Sequence, residues 1–303
     1  MNMTPITTLA TPASGILVPL DGSTRSEGAL PLALNLARML QRQIVLARVI
    51  SLLPLPPGAL GAPIDPDTYQ RLLDDERSGV QAYLERQAQT FRQQGVNVET
   101  VVEQGEPGDG LLDICAHQPI GLIIMASHGR AGIVRAALGS IADRLVRLSH
   151  RPVLLVHGAD GQDVPSFSHL LHHLVIPLDG SPTAESALPI ATVFAGRIAR
   201  EITLLQVMSY TADASEHLAT RSYLEDQAES MRKRIEGRSC EIDTAIRYGD
   251  ILSEEILQYA KDHGGLLVMT TRGRSGLSRF VLGSVADEVI RGTTHAVLVA
   301  CPQ

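Results

Sequence analysis

GILVPLDGSTRSEGALPLALNLARML, residues 15–40, and HLVIPLDGSPTAESALPIATVFAGRI, residues 173–198, align without a gap, so that PLDGS stands at 19–23 and again at 177–181. Each stretch opens with a short apolar run that reads as a strand. Apolar residues then recur at spacings of three and four: Leu30, Ala33, Leu34, Ala37 and Leu40 in the first, with Leu188, Ala191, Thr192, Ala195 and Ile198 over them in the second. PLDGS is therefore a turn from strand into helix. Ser23 and Ser181 suit the N-cap of that helix, and Asp21 and Asp179 are carboxylates presented at the end of the strand. Pro31 and Pro189 fall inside the helical stripes, where a proline removes a backbone hydrogen bond, so a kink is expected near the start of each helix.

The likeness extends along the chain. YLERQAQTFRQ from Tyr83 matches YLEDQAESMRK from Tyr223, and from Gly105 over Gly249 the offset is expected to settle at 144 (249 − 105). The first copy carries extra residues in the Pro- and Gly-rich LLPLPPGALGAPIDPDT, and the second carries a few near its third strand. The chain reads as a tandem duplication, with domains at 1–158 and 169–303. Residues 158–171, GADGQDVPSFSHLL, have the composition of a linker.

Within the first copy ILVPL, IVLARVI, VNVETVVEQ, GLIIMA and PVLLV read as five strands separated by helical patterns. Mostly apolar runs of this kind belong to parallel strands covered on both faces. The expected fold class is α/β: two tandem doubly wound domains, each a five-stranded parallel sheet with helices on both sides.

Composition narrows the function classes. Of the 303 residues only 3% are aromatic, none is Trp, and the formal net charge is −7, which argues against nucleic acid as the main ligand. Cys115, Cys240 and Cys301 have no metal or redox spacing and read as small buried hydrophobes of a reduced, cytoplasmic protein. No apolar run reaches the ~18 residues of a membrane span, so no membrane partner is expected.

The fourth strand of each copy adds the second half of a site. IIMASHGRAGIVRAALGSIADRLV and LVMTTRGRSGLSRFVLGSVADEVI run from a strand through a glycine-containing loop to Gly139-Ser140 and Gly283-Ser284, and then into an apolar-periodic helix. Glycines let backbone N–H groups approach an anion closely, and a helix start presents unpaired donors and the positive end of its dipole. A phosphate fits there, with the strand-one acid on the ribose hydroxyls. Neither GxxxxGK[ST] nor a GxGxxG after the first strand occurs, which excludes a P-loop and leaves a dinucleotide fingerprint unsupported.

On these motifs each copy resembles a universal stress protein domain of the nucleotide-binding branch, which carries G-x2-G-x9-G-[ST] after strand four and an Asp at the end of strand one. The resemblance implies sheet order 3-2-1-4-5 and binding of ATP, or of ADP or AMP, with Mg2+ accompanying the nucleotide. Carried over, the first site comprises Pro19, Asp21, Val49, Ala126, Gly129, Arg130, Gly139, Ser140 and Ile141. The second comprises Pro177, Asp179, Val207, Thr270, Gly273, Arg274, Gly283, Ser284 and Val285. Val49 and Val207 are the backbone positions beside adenine. The first motif glycine is replaced by Ala126 and Thr270, and the β-branch of Thr is costly wherever φ is positive, so the first site is expected to be at least as strong as the second.

Other candidates read as structural. His169, His172 and His173 lack the Cys or carboxylate that would complete a metal set, and no metal or catalytic residue is assigned. His128 is matched by Arg272, a polar loop position; Leu145, Leu148, Val289 and Ile290 read as helix core. No activated nucleophile or carboxylate dyad is legible in the spacing. The expected function is an adenine-nucleotide-binding sensor or regulator in stress response, with any ATP hydrolysis slow. The alternatives are a slow ATPase or adenylate-chemistry enzyme on the same fold, and an interaction module that binds no nucleotide.

A short apolar fifth strand leaves an open edge on each copy, and by resemblance single-domain members pair through it. Residues 153–156 and 296–299 are thus expected to lie together about a pseudo-twofold axis, with a homodimer of the full chain as a further candidate assembly. Charges at Leu155 and Leu298 are expected to loosen the two copies.

Overall fold

The computed structural model describes residues 14–51, 66–127, 138–157, 167–271, 283–293 and 296–300. The first half runs β1 (Gly15–Pro19), α1 (Thr24–Glu27), α2 (Leu30–Leu40), β2 (Ile44–Ile50), α3 (Pro66–Gln93), β3 (Val98–Gln104), α4 (Pro107–His117), β4 (Ile120–Ala126), α5 (Ser140–Leu148) and β5 (Val153–Val156). After α6 (Phe167–His172) the pattern repeats as β6 (His173–Pro177), α7 (Pro182–Glu185), α8 (Leu188–Phe194), β7 (Glu201–Met208), α9 (Ala214–Arg234), β8 (Glu241–Tyr248), α10 (Leu252–His263), β9 (Leu266–Thr270), α11 (Ser284–Gly292) and β10 (Ala296–Ala300).

All ten strands form one sheet in the order β3-β2-β1-β4-β5-β10-β9-β6-β7-β8. Each half is the parallel 3-2-1-4-5 order, and the halves meet where β10 pairs antiparallel with β5, Leu298 opposite Leu154 and Val297 opposite Leu155. The fifth-strand edges are thereby used within the chain. Because β5 and β10 run in opposite directions, the strand C-termini of the two halves open on opposite edges of the sheet. This also explains the short connection: β5 ends on the edge where β6 begins, only three strand spacings away, about 14 Å.

Side chains alternate between the two faces of the sheet. One face is packed by α1–α3 and α6–α9 and includes Ile16, Val18, Leu46, Leu84, Leu154, Leu204, Leu224 and Leu298. The other lies under α4, α5, α10 and α11 and includes Leu17, Val45, Ile123, Leu145, Leu155, Leu267, Val289 and Val297. Both cores are continuous across the β5–β10 seam. The outer strands β3 and β8 carry exposed residues, unlike the double coverage expected of every strand, because they end the sheet. Among the described residues no helix is long and apolar enough to cross a membrane.

Several local expectations change. Pro31 and Pro189 do not kink a helix: α1 and α7 end first, and each proline sits in the first turn of a new helix, where its missing N–H would have had no acceptor. α8 stops at Phe194, so Ala195 and Ile198 of the expected stripe are buried in the following turn, which Gly196 closes at φ 72. The 144 offset fails inside one helix. α4 buries Gly108, Leu111 and Cys115 whereas α10 buries Ser253, Ile256 and Ala260, faces 145 apart (256 − 111), while the strand pair Leu122 and Leu266 keeps 144 (266 − 122). One residue is gained before α10 and given back at its C-terminus.

Leu145, Val289 and Ile290 are fully buried, and Leu148 only partly. His172 is exposed, while His173 is buried with Nε2 2.8 Å from the Thr203 hydroxyl. Cys115 is buried as expected, Cys240 only half so, and Cys301 lies outside the described residues. Burial pushes the Cys115 thiol up to about 12. At about pH 8, near an ordinary thiol pKa of about 8.5, Cys115 is therefore expected to resist alkylation in the native protein and to react once unfolded. Peptide mass spectrometry reads both states, and native labelling at the unfolded rate would contradict the burial.

Candidate functional site

In each half the strand order reverses between strand one and strand four, and an open parallel sheet leaves a crevice at the C-terminal ends of those strands. In the first half β1 lies between β2 and β4. In the second β6 lies between β7 and β9. The two strand-one acids, the strand-two valines and the starts of α5 and α11 therefore collect on one rim per half.

PLDGS reads residue by residue. Leu20 and Leu178 are buried. Gly22 and Gly180 take φ 79 and 78, the left-handed region that only glycine enters at no steric cost. Ser23 and Ser181 cap α1 and α7, their hydroxyls accepting from the N–H of Ser26 and Ala184. The same hydroxyls donate to the acids: Ser23 Oγ lies 2.6 Å from Asp21 Oδ1, and Ser181 Oγ 2.6 Å from Asp179 Oδ1. The backbone N–H of each serine adds a second bond to that oxygen at 2.9 and 3.0 Å. Both carboxylates are thus half-buried and held in one orientation by their own turn.

Across the rim, Gly139 and Gly283 are the N-caps of α5 and α11, with no side-chain cap. Their N–H groups bond back to Ser127 and Thr271 carbonyls at 2.9 and 2.8 Å, which pins each helix start to the end of strand four. The first intrahelical bonds run from Asp143 to Gly139 and from Asp287 to Gly283. The N–H groups of Ser140, Ile141 and Ala142, and of Ser284, Val285 and Ala286, have no acceptor within their helix. Ser140 and Ser284 are exposed, and Ile141 and Val285 half-buried beside the core.

Pro19 and Pro177 end strand one half-buried. Val49 and Val207 lie one residue before the ends of β2 and β7, also half-buried. α4 approaches Val49 so closely that a Cβ at Gly110 would stand 2.9 Å from Val49 Cγ2, a contact the repeat comparison does not reveal. Ala126 and Thr270 are the last residues of β4 and β9, in extended backbone. Neither has positive φ, so the expected strain at Thr270 does not arise, and the second rim loses nothing on that account. Gly129, Arg130, Gly273 and Arg274, with His128 and Arg272, lie outside the described residues.

One cluster was not legible from motifs. Glu27 Oε1 accepts from the Tyr83 hydroxyl at 2.8 Å and from Gln87 Nε2 at 3.2 Å. In the second half Glu185 Oε1 accepts from Tyr223 at 3.1 Å and Gln227 at 3.5 Å. These bonds tie the helix after each strand-one acid to the long helix α3 or α9. Burial, then the bond to Glu27 and its charge, hold the Tyr83 hydroxyl well above the usual phenol range. The signal was present in the matched YLERQAQ and YLEDQAE, but only the fold shows that both face Glu27 and Glu185.

A family model described as the universal stress protein family matches residues 14–157 and 171–300. The chain belongs to the universal stress protein family. A universal stress protein of Mycobacterium tuberculosis is 24% identical over 303 residues, covering 94% of this chain and 96% of the relative, so the tandem arrangement is shared. The Bacillus subtilis universal stress protein YxiE is 30% identical over 146 residues, covering 46% of this chain and 97% of its own length, as a match to one copy would. The crystal structure of a universal stress protein from Archaeoglobus fulgidus superposes with a TM-score of 0.72 at 20% identity, covering 95% of this chain and 98% of that one, which shows the common fold.

Proposed function

We propose that this universal stress protein is an adenine-nucleotide-binding regulator, with one site in each of the units 1–158 and 169–303. The observation that carries this reading is the same in both halves. A helix opening on an uncapped glycine offers three N–H groups beside a carboxylate held by its own turn, on neighbouring parallel strands. The N–H groups and Ser140 or Ser284 take the phosphates, Asp21 or Asp179 the ribose, and the Val49 or Val207 backbone the adenine edge. Arg130 and Arg274 add charge near the phosphates, which bring their own Mg2+.

The described residues of each rim supply binding groups, and in this reading the protein acts by holding nucleotide in the cytoplasm. Turnover of ATP is expected far below the ~10 s⁻¹ usual for enzymes. A steady-state rate near that value, lost on Asp21→Ala with Asp179→Ala, would make it an enzyme. The direct test is mass spectrometry of small molecules released on denaturing freshly purified protein, with calorimetric titration of ATP into protein cleared of them. Adenine nucleotide released or bound supports the reading; release of no adenine nucleotide together with no binding of ATP overturns it.

A further inference from the structure

Of the seven large hydrophobic side chains exposed among the described residues, five belong to one corner of the second half: Tyr210, Leu218, Tyr248, Ile251 and Leu252. The corner is where β7 and β8 end, with Met208 opposite Tyr248 in register and the Gly249 N–H donating to the Met208 carbonyl at 3.0 Å. Rings join its elements. Tyr248 lies against Tyr210, just beyond β7, with centroids 6.4 Å apart, and against His217, near the start of α9, at 6.1 Å. Leu218 follows His217 on α9 and is 68% exposed, while Ile251 and Leu252 carry the chain on from Tyr248 into α10.

The same place in the first half is polar. There β3 ends on Gln104 and leads through Gly105 and Glu106 into α4 at Pro107, and Arg77 and Ser78 stand where His217 and Leu218 do (217 − 77 = 140). Charge also sets the second corner apart. Residues 209–218 and 248–255 include Asp213, Glu216, Asp250, Glu254 and Glu255 and no Lys or Arg. Asp213 and Glu216 form the capping box of α9, Arg247 is paired with Glu255, and Arg221 lies a turn further along α9. Asp250 and Glu254 are exposed beside Ile251 and Leu252 in the chain.

We propose that this corner docks a basic, apolar peptide segment of a partner protein, with an Arg or Lys of the partner over the tyrosine rings and its apolar side chains on Leu218, Ile251 and Leu252. Ring faces and carboxylates both attract a cation, and the aliphatic groups gain by leaving water. Aromatic side chains are also the ones enriched where partners bind. The same acids disfavour other occupants. A second copy docked through this corner would set carboxylates against carboxylates about a twofold axis, and nucleic acid or an anionic membrane would be repelled. Docking here is independent of whether either rim holds nucleotide.

Short random peptides displayed on phage and selected on the immobilised full-length protein should yield sequences that combine Lys or Arg with aromatic or aliphatic residues. A synthetic peptide of the most enriched sequence is expected to bind the wild type and Leu72→Ser, which alters an exposed leucine of α3 in the other half, equally well. It should bind Tyr210→Ser with Leu218→Ser at least about tenfold more weakly. Asp250→Lys with Glu254→Lys should weaken it as well, and so should about 1 M salt, where the Debye length is about 3 Å. All four altered positions are exposed, so both double variants should melt close to the wild type. Selection of no sequence, or of acidic or uncharged ones, would overturn the proposal, as would equal binding by the wild type and Tyr210→Ser with Leu218→Ser. Sedimentation showing a wild-type dimer that this variant dissociates would also overturn it, because the occupant would then be a second copy.

Discussion

Replacing Gly139 and Gly283 together by phenylalanine is expected to abolish ATP binding, with affinity down by about a hundredfold or more, while the melting transition stays close to that of the wild type. Both glycines have extended backbone, φ −60, ψ 146 and φ −65, ψ 148, which any residue adopts. Backbone conformation at these caps therefore does not demand glycine. A ring there fills the space in which the N–H groups of the first helical turn would meet an anion, and loss of three charge-assisted hydrogen bonds, each about 1.5–3 kcal/mol, accounts for the size of the effect. Calorimetric affinity unchanged in a folded double variant would remove the glycine caps from the binding site. Single variants should each remove one of two binding events, since the two rims lie on opposite edges of the sheet.

Leu298→Asp is expected to destabilise the whole chain by about 4 kcal/mol or more, because a carboxylate with no partner is forced into a fully buried apolar position. The informative readout is where the damage travels. Leu298 is opposite Leu154 and shares one core with residues of both halves, so amide exchange should accelerate in β4 and β5 as well as in β9 and β10. Leu155→Asp should do the same through the other face, where Leu155 is opposite Val297. The two positions expected from the sequence thus sit on opposite faces rather than against each other. Exchange confined to the second half in Leu298→Asp would show that the seam does not couple the halves.

Much of the site could be read because its parts are local. Four of the five letters of PLDGS answer to a local requirement: a buried leucine, an oriented acid, a glycine at positive φ, a serine cap. The Gly-Ser helix starts were legible for the same reason. The helix boundaries were harder. An apolar stripe of period 3.6 does not reveal that Pro189 begins a helix rather than bending one, or that Ala195 and Ile198 stay buried after the helix has ended. The one-residue shift of α10 leaves no gap that a pairwise comparison notices, because it is reversed before the next strand.

Sequence by itself determined the duplication, the alternation of strands and helices in each copy, the turn chemistry of both rims and, with the family resemblance, the order of the strands. These follow from residue type and spacing along the chain. Tertiary structure alone decided that Thr270 is unstrained, that Glu27 and Glu185 grip Tyr83 and Tyr223 from another helix, and that Arg48 rests on that tyrosine. It also decided that the two rims face opposite edges. Strand five of each copy is an apolar run of the same kind whether its neighbour is parallel or antiparallel. The choice is made by packing two continuous cores across the seam, and no residue within the strand encodes it.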